Sequence, residues 1–367
     1  MENKPNLNIK LSKTGHVLAM RTNKGYSWMM NTENGYFMRY GKTFADDPNY
    51  SPIGPEILDI EINTDCNGIN GVPCKWCYKS NTASGTYMPF ENFIKIVNKI
   101  NPYNNLTQVA LGMGNVNTHP DFVKILNWCR KNDIVPNLTV NGAHLDEVYN
   151  GKTYAAWIAK YCGAVAVSHY NDDVCFNAVK KFTDLGMTQV NIHQILANET
   201  IDDCVRLVNI KKDGADNRLD KLNAIVFLSL KRKGNRNTLN PLDDNNIYKY
   251  NDMIQTAINH NVSIGFDSCG ANRFLNSVKD DKNINMYKAL AEPCEAACFS
   301  FYVNVDGKYF PCSFCEGECR NDIDWKDGIN LLDNNIDFIH DLWYNDKVIE
   351  FRNTLINNNR NCPMFDV

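Results

Sequence analysis

The chain has 367 residues, with 42 acidic against 38 basic side chains and a net charge of −4. That length buries a sizeable core, in one large α/β domain with an appendage or in two domains, and the dispersed Lys and Arg residues offer no basic field for nucleic acid. The opening stretch MENKPNLNIKLSK lacks the apolar core of a signal peptide and no apolar run reaches membrane-spanning length, so a cytoplasmic protein with no membrane partner is expected.

Residues 1–52, rich in Tyr, Met and Asn with an NGY turn, read as a small β extension that caps the edge or base of the main domain, or guides a substrate. EILDIEIN is strand-like and leads into a loop bearing Cys66, Cys74 and Cys77. PFENFIKIVNKI then sets Phe93, Ile96, Val97 and Ile100 on one helical stripe, with Pro89 at its first turn. The unit repeats. QVALGMG precedes HPDFVKILNWCRKN, PNLTVNG precedes YAAWIAKYC, and AVAVSHY precedes CFNAVKKFTDLG. QVNIHQIL and LNAIVFLSL likewise precede IDDCVRLVNIKK and NIYKYNDMIQTAINH, making six β/α units and a parallel sheet. Between the last strand and its helix, KRKGNRNTLNPLDD at 231–244 reads as a solvated loop or a lid.

One face of these strands is aliphatic: Leu58, Ile60 and Ile62; Leu138 and Val140; Val165 and Val167; Val190 and Ile192. The other carries Glu61 and Asn63, Thr139 and Asn141, Ser168 and Tyr170, Asn191 and His193. A closed barrel fills its interior with branched apolar residues, and a doubly wound sheet is apolar on both faces. The polar face instead predicts a partly open barrel whose hydrated lumen holds a ligand at the C-terminal ends of the strands, where the cysteine loop lies.

The 14 cysteines divide into groups. Cys129, Cys175 and Cys204 continue apolar helical stripes and Cys162 ends one, so these four read as core. Cys66, Cys74 and Cys77 stand early; Cys269, Cys294, Cys298, Cys312, Cys315, Cys319 and Cys362 stand late, implying two metal-bearing regions. Structural zinc takes four protein ligands, whereas the early loop supplies three and leaves a coordination position open for a small molecule.

A strand followed by Cys66-x7-Cys74-x2-Cys77, with Trp76 before the last Cys, resembles the cluster loop of radical S-adenosylmethionine (radical SAM) enzymes, whose commonest first spacing is three residues rather than seven. The resemblance implies a [4Fe-4S] cluster on those three thiols, with the amino and carboxylate groups of SAM on the fourth iron. ALGMGN resembles the family's glycine-rich stretch, implying that the backbone at Gly112 and Gly114 meets the SAM amino group; Asn115 replaces the usual acidic residue, so no carboxylate is carried over. TVNG, VSHY and NIH likewise offer Asn141, Ser168, Asn191 and His193 to the cofactor, with Trp76 beside it, although His193 also reads as a satisfied core histidine. The resemblance covers roughly Ile53 to Phe266 and implies a partial (β/α)6 TIM-type barrel over 53–268.

The segment CEAACFSFYVNVDGKYFPCSFC carries a hairpin signal, with Asp306-Gly307 as its turn. It resembles the SPASM or twitch domains appended to radical SAM enzymes, implying a small Cys-rich β-hairpin/helix domain over 269–367 with an auxiliary [4Fe-4S] cluster. Cys294, Cys312 and Cys362 are its expected ligands, with Cys298 or Cys269 as the fourth; Cys312, Cys315 and Cys319 are alternatively three ligands of a zinc knuckle. The family resemblance further implies reduction by a flavodoxin or ferredoxin and hydrogen abstraction by a 5′-deoxyadenosyl radical. A peptide or protein substrate, a small metabolite, and a non-catalytic Fe-S electron carrier or sensor all remain compatible with the residues. No general acid/base pair is assigned, although Glu61 and His193 face the expected lumen.

Overall fold

A computed structural model describes residues 8–11, 15–33, 35–43 and 46–367; residues 1–7, 12–14, 34, 44 and 45 of the expected N-terminal extension lie outside it. The extension is a four-stranded antiparallel meander of β1 (Asn8–Leu11), β2 (Val17–Arg21), β3 (Ser27–Asn31) and β4 (Phe37–Tyr40). It covers the base of the main domain. The Tyr26 hydroxyl donates to Glu56 at 2.6 Å and the Trp28 indole donates to Asn105 at 2.9 Å. Arg39 pairs with Glu56 and Glu295 at 2.9 Å each. Glu56 and Asn105 precede the first two barrel strands, so the extension sits at the end opposite the cysteine loop.

The barrel alternates strands and helices: β5 (Ile57–Glu61), α1 (Phe90–Ile100), β6 (Gln108–Gly112), α2 (Phe122–Lys131) and β7 (Val135–Val140). A short ribbon of β8 (Val148–Tyr149) and β9 (Lys152–Thr153) leads to α3 (Tyr154–Tyr161). Then come β10 (Val165–Ser168), α4 (Asp172–Asp184), β11 (Val190–Leu196), α5 (Ile201–Asp213), β12 (Ala224–Ser229) and α6 (Ile247–Asn259). All six expected β/α units form. Pro89 caps α1 rather than lying within its first turn, suiting a residue with no N–H to donate.

The aliphatic strand faces meet the helices: Leu58, Ile60, Ile62, Val165, Val167, Val190 and Ile192 are at most 1% exposed. On the lumen side Thr139, Asn141, Ser168, Asn191 and His193 keep some solvent access, which is why these parallel strands alternate instead of reading as apolar throughout.

A seventh strand, β13 (Ile264–Phe266), joins the outer side of β12, and short helices α7 (Ala271–Ser277) and α8 (Ile284–Leu290) come next. The expected hairpin is present as β14 (Ser300–Val303) and β15 (Lys308–Phe310), with Gly307 at φ +79° in its turn. It does not build a separate sheet. β14 pairs in parallel with β5, from Ser300 beside Ile57 to Val303 beside Ile60. Beyond it come the β16 (Glu318–Arg320) and β17 (Ile323–Trp325) hairpin, β18 (Ile329–Asn330), a π-helical turn at Phe338–Trp343, and α9 (Asp346–Asn357). The ten-stranded order β13-β12-β11-β10-β7-β6-β5-β14-β15-β18 leaves β13 and β18 as edges, an open barrel continuous with its C-terminal appendage.

Candidate functional site

The early cysteines lie just past the C-terminal end of β5, and a small hairpin accounts for their wide spacing. Ile69 and Val72 exchange backbone hydrogen bonds at 3.0 and 3.1 Å across a turn in which Asn70 and Gly71 have φ of +52° and +79°. This turn suits Asn-Gly and folds the intervening residues into a bump between Cys66 and Cys74. At its entry Gly68 has φ +75°, and a Cβ there would overlap the Val72 carbonyl.

The segment after β6 holds this loop. Asn115, fully buried, accepts from the Asn67 N–H at 2.8 Å and donates to the Gly68 carbonyl at 2.9 Å. A Cβ on Gly114 would collide with the Asp65 carbonyl and with Cys66, so only glycine allows this approach. Asn63 accepts from the Asp65 N–H at 2.8 Å and donates to Thr118 at 2.5 Å, while Thr118 donates to the Asp65 carbonyl at 3.0 Å. Asn115 therefore meets the loop through an amide's combined donor and acceptor, a role that its spacing did not reveal.

Cys66, Cys74 and Cys77 are all partly exposed. Burial is the largest influence raising the Cys66 and Cys74 thiols above their ordinary pKa, and the neighbouring thiols raise Cys66 further. The Tyr170 hydroxyl lies near Cys74 and Ser168, and its ring stacks on Trp76 at 5.8 Å between centroids. Trp76 and Tyr170 also line a cavity of about 500 Å³ at the rim, with His169, Gln194, Asp172 and Arg206. Asp172 is bound by Arg206 at 2.8 and 2.9 Å, which holds its carboxyl down at about 2.

Within the lumen the β10–β11 register sets Ser168 beside His193. Thr139 approaches the His193 Nδ1 at 3.5 Å, and Asn191 accepts from Asn223 at 2.9 Å. Burial pushes His193 down to about 4, against the pull of Asp267, so the imidazole is neutral at neutral pH. Asn141 accepts from the Ala143 N–H at 3.0 Å, engaging its side-chain oxygen in a local turn. Glu61 is engaged by Lys79 at 3.1 Å, and the same ammonium reaches Tyr302 at 2.9 Å and pairs with Glu316. Lys79 thus ties the early loop to the late one. Sequence reasoning missed it because its carboxylate partners come from distant parts of the chain.

Among the late cysteines, Cys269 and Cys294 are close enough for each to shift the other's thiol, and the Cys312 and Cys315 sulfurs lie 3.4 Å apart. Cys362 lies within the electrostatic reach of Cys269 and Cys312, and Cys315 touches the Met364 sulfur at 3.3 Å. The hydrogen bond from Cys315 holds Cys312 below its ordinary value, while burial first and then that same bond raise Cys315. Cys298 faces different surroundings: it is fully buried near Arg352, Arg360 and Glu295, and its thiol is pushed up to about 11. Cys319 is exposed on β16. Among the described residues no three His, Cys, Asp or Glu side chains are already drawn together as metal ligands. The donor chemistry nevertheless suits iron-sulfur centres: three partly shielded thiols at a glycine-bounded loop, and a late group near the Lys231 cation in which Cys294 and Cys315 are buried and Cys269, Cys312 and Cys362 partly so.

An open (β/α)6 barrel with a cysteine loop after its first strand and a cysteine-bearing C-terminal appendage is the fold that the sequence resemblance to radical SAM enzymes implies. Among solved structures, the chain is similar to SuiB of Streptococcus suis bound to the precursor peptide SuiA, at 14% identity and a TM-score of 0.64, covering 94% of this chain and 90% of that one. It is also similar to SuiB bound to S-adenosylmethionine, at 12% identity and a TM-score of 0.62, covering 95% and 89% of the two chains. These likenesses show the fold. No family model matches the chain, and no curated protein matches it.

Proposed function

We propose that the chain is a radical SAM enzyme that modifies a peptide or protein. The observation that carries this reading is the placement of Cys66, Cys74 and Cys77 on a loop braced by Gly114 and Asn115, at the mouth of a polar lumen. These three thiols would hold a [4Fe-4S] cluster with SAM beside it, and the chemistry that pair would supply is one-electron reductive cleavage of SAM, with the electron from a flavodoxin or ferredoxin, to methionine and a hydrogen-abstracting 5′-deoxyadenosyl group. The backbone at Gly112 and Gly114 would face the SAM amino group, while Asn141, Ser168 and Asn191 would offer polar contacts to the rest of the cofactor. Neutral His193 accepts or donates one hydrogen bond without placing a charge in the lumen. Trp76, stacked on Tyr170, closes one side and limits water.

The late thiols Cys269, Cys294, Cys312 and Cys362 would hold an auxiliary [4Fe-4S] cluster in this reading, with Cys269 preferred to Cys298 because it lies within electrostatic reach of Cys294, Cys312 and Cys362. The peptide assignment draws on the similarity to SuiB, which has been solved with a precursor peptide. It also draws on the open sheet, which leaves room for an extended chain. A reducing cytoplasm suits the thiols; among the described residues no helix is long and apolar enough to cross a membrane.

Turnover with deuterium-labelled cell extract, split by ultrafiltration, tests the substrate class. Label should enter 5′-deoxyadenosine from the high-mass or protease-sensitive fraction. Transfer only from a protease-insensitive low-mass fraction would assign a metabolite instead.

A further inference from the structure

The loop at 231–244 does not stand free in solvent. Residues 231–237, with sequence KRKGNRN, cross from the late thiols to the early ones. Lys231 is only 4% exposed; its ammonium pairs with Asp267 at 2.5 Å, lies 4.8 Å from the Phe314 ring centre and is within electrostatic reach of the Cys269 thiol. Lys233 donates to the carbonyls of Ser313 at 3.5 Å and Phe314 at 3.1 Å, and also to that of Glu316, gripping the turn that carries Cys312 and Cys315.

The segment then reaches the early loop. Gly234 has φ +96°, and a Cβ there would overlap the Cys77 carbonyl. The Asn235 N–H donates to Ser80 at 2.8 Å, while Arg236 donates to the carbonyls of Cys74 at 3.4 Å and Asn81 at 2.9 Å. The Asn237 amide closes the clasp by donating to the carbonyls of Lys231 at 3.3 Å and Lys233 at 3.1 Å.

We propose that Lys231, fixed by this clasp, biases the late cysteine centre toward its reduced state. The inference rests on the reading that the late thiols hold an iron-sulfur cluster. Adding one electron to such a centre adds one negative charge, and a fixed cation inside a poorly hydrated site stabilises that state more than the oxidised one. Asp267 acts with the opposite sign. Ser229 and Gly270 backbone N–H groups donate to its Oδ1 at 3.1 and 3.0 Å, holding the carboxylate where it partly offsets Lys231. Lys231 is therefore a positioning and tuning residue, acting through its charge.

The test uses the full chain carrying Cys66→Ala, Cys74→Ala and Cys77→Ala, reconstituted anaerobically with iron and sulfide so that only the late centre is read. Dithionite-poised titration followed by electron paramagnetic resonance gives its midpoint. At the parent midpoint, Lys231→Met should lower the reduced-to-oxidised ratio about tenfold, equivalent to about 59 mV for a one-electron couple. Asp267→Asn should raise that ratio, and Lys231→Arg should leave it within about threefold of the parent. A packing role alone would not give opposite signs to Lys231→Met and Asp267→Asn. Shifts in the same direction, or no shift in either, overturn the proposal; if Lys231→Met does not fold, an Asp267→Asn ratio that does not rise overturns it. A parent that binds zinc or no iron removes the auxiliary-cluster reading itself, and metal analysis reports that outcome separately.

Discussion

Replacing Asn115 probes the way the early cysteine loop is held. Asn115→Ala leaves the Asn67 N–H and the Gly68 carbonyl without the partners they have at 2.8 and 2.9 Å. Each unsatisfied group costs about 1–3 kcal/mol, and water reaching the partly exposed loop recovers some of this, so local opening should become easier by about 2–4 kcal/mol. At about 1.36 kcal/mol per decade, that is a rise in opening of roughly 30- to 900-fold. Asn115→Asp should be no milder, because it keeps the acceptor for Asn67 but turns a buried carboxylate oxygen toward the Gly68 carbonyl. The assay is amide hydrogen exchange over residues 63–72 in metal-free protein, with global unfolding monitored alongside. Exchange within about threefold of wild type in both variants would refute this account of the loop.

Two further outcomes concern stability. Burial raises Asp59, on the lumen face of β5, from 3.8 to about 7, so its protonated form favours the fold below pH 3.8 and that contribution is lost as pH rises through 7. Asp59→Asn should therefore match wild type near pH 4 and exceed it at pH 8 by about 1–4 kcal/mol in urea unfolding; an equal difference at both pH values contradicts the assignment. Arg39→Met leaves the buried Glu56 carboxylate without the guanidinium that binds it at 2.9 Å. Because burial raises Glu56 to about 8, it takes up a proton rather than stay an unpaired charge, so the expected loss is about 1.5–3 kcal/mol by urea unfolding at neutral pH, and a loss below about 1 kcal/mol would mean that the pair does not fasten the extension to the barrel.

The barrel was legible because its strands alternate: an aliphatic face for the helices and a polar face for the lumen leave a period that neither a filled barrel nor a doubly wound sheet would produce. The four helix-borne cysteines were legible for the same reason, and Cys129, Cys162, Cys175 and Cys204 are all buried. The pairing of β14 with β5 was not. Ser300–Val303 reads locally as half of a hairpin, and nothing in its own composition names a parallel partner some 240 residues away. β13 escaped notice as a further barrel strand because three residues carry too little alternation to register.

The cysteine loop was legible as a three-thiol site, and its wide spacing had an explanation in plain view: Asn70-Gly71 between Ile69 and Val72 is a tight-turn signal. The reach of Asn115, Lys79 and the 231–237 clasp was hidden. Each depends on which loops the barrel brings together at one end, and polar contacts over such separations leave no periodic trace in sequence. Of the two expected candidates for the fourth late ligand, spacing could not choose; burial near Arg352 and Arg360 puts Cys298 in one environment and proximity to the Cys294 thiol puts Cys269 in another.

The most direct test of the central claim is SAM cleavage by the anaerobically reconstituted, reduced protein. Wild type should release 5′-deoxyadenosine, and Cys66→Ala, Cys74→Ala and Cys77→Ala should each release none. Product from the Cys74→Ala variant, or none from an iron-loaded wild type, would contradict the assignment of these three thiols to radical chemistry.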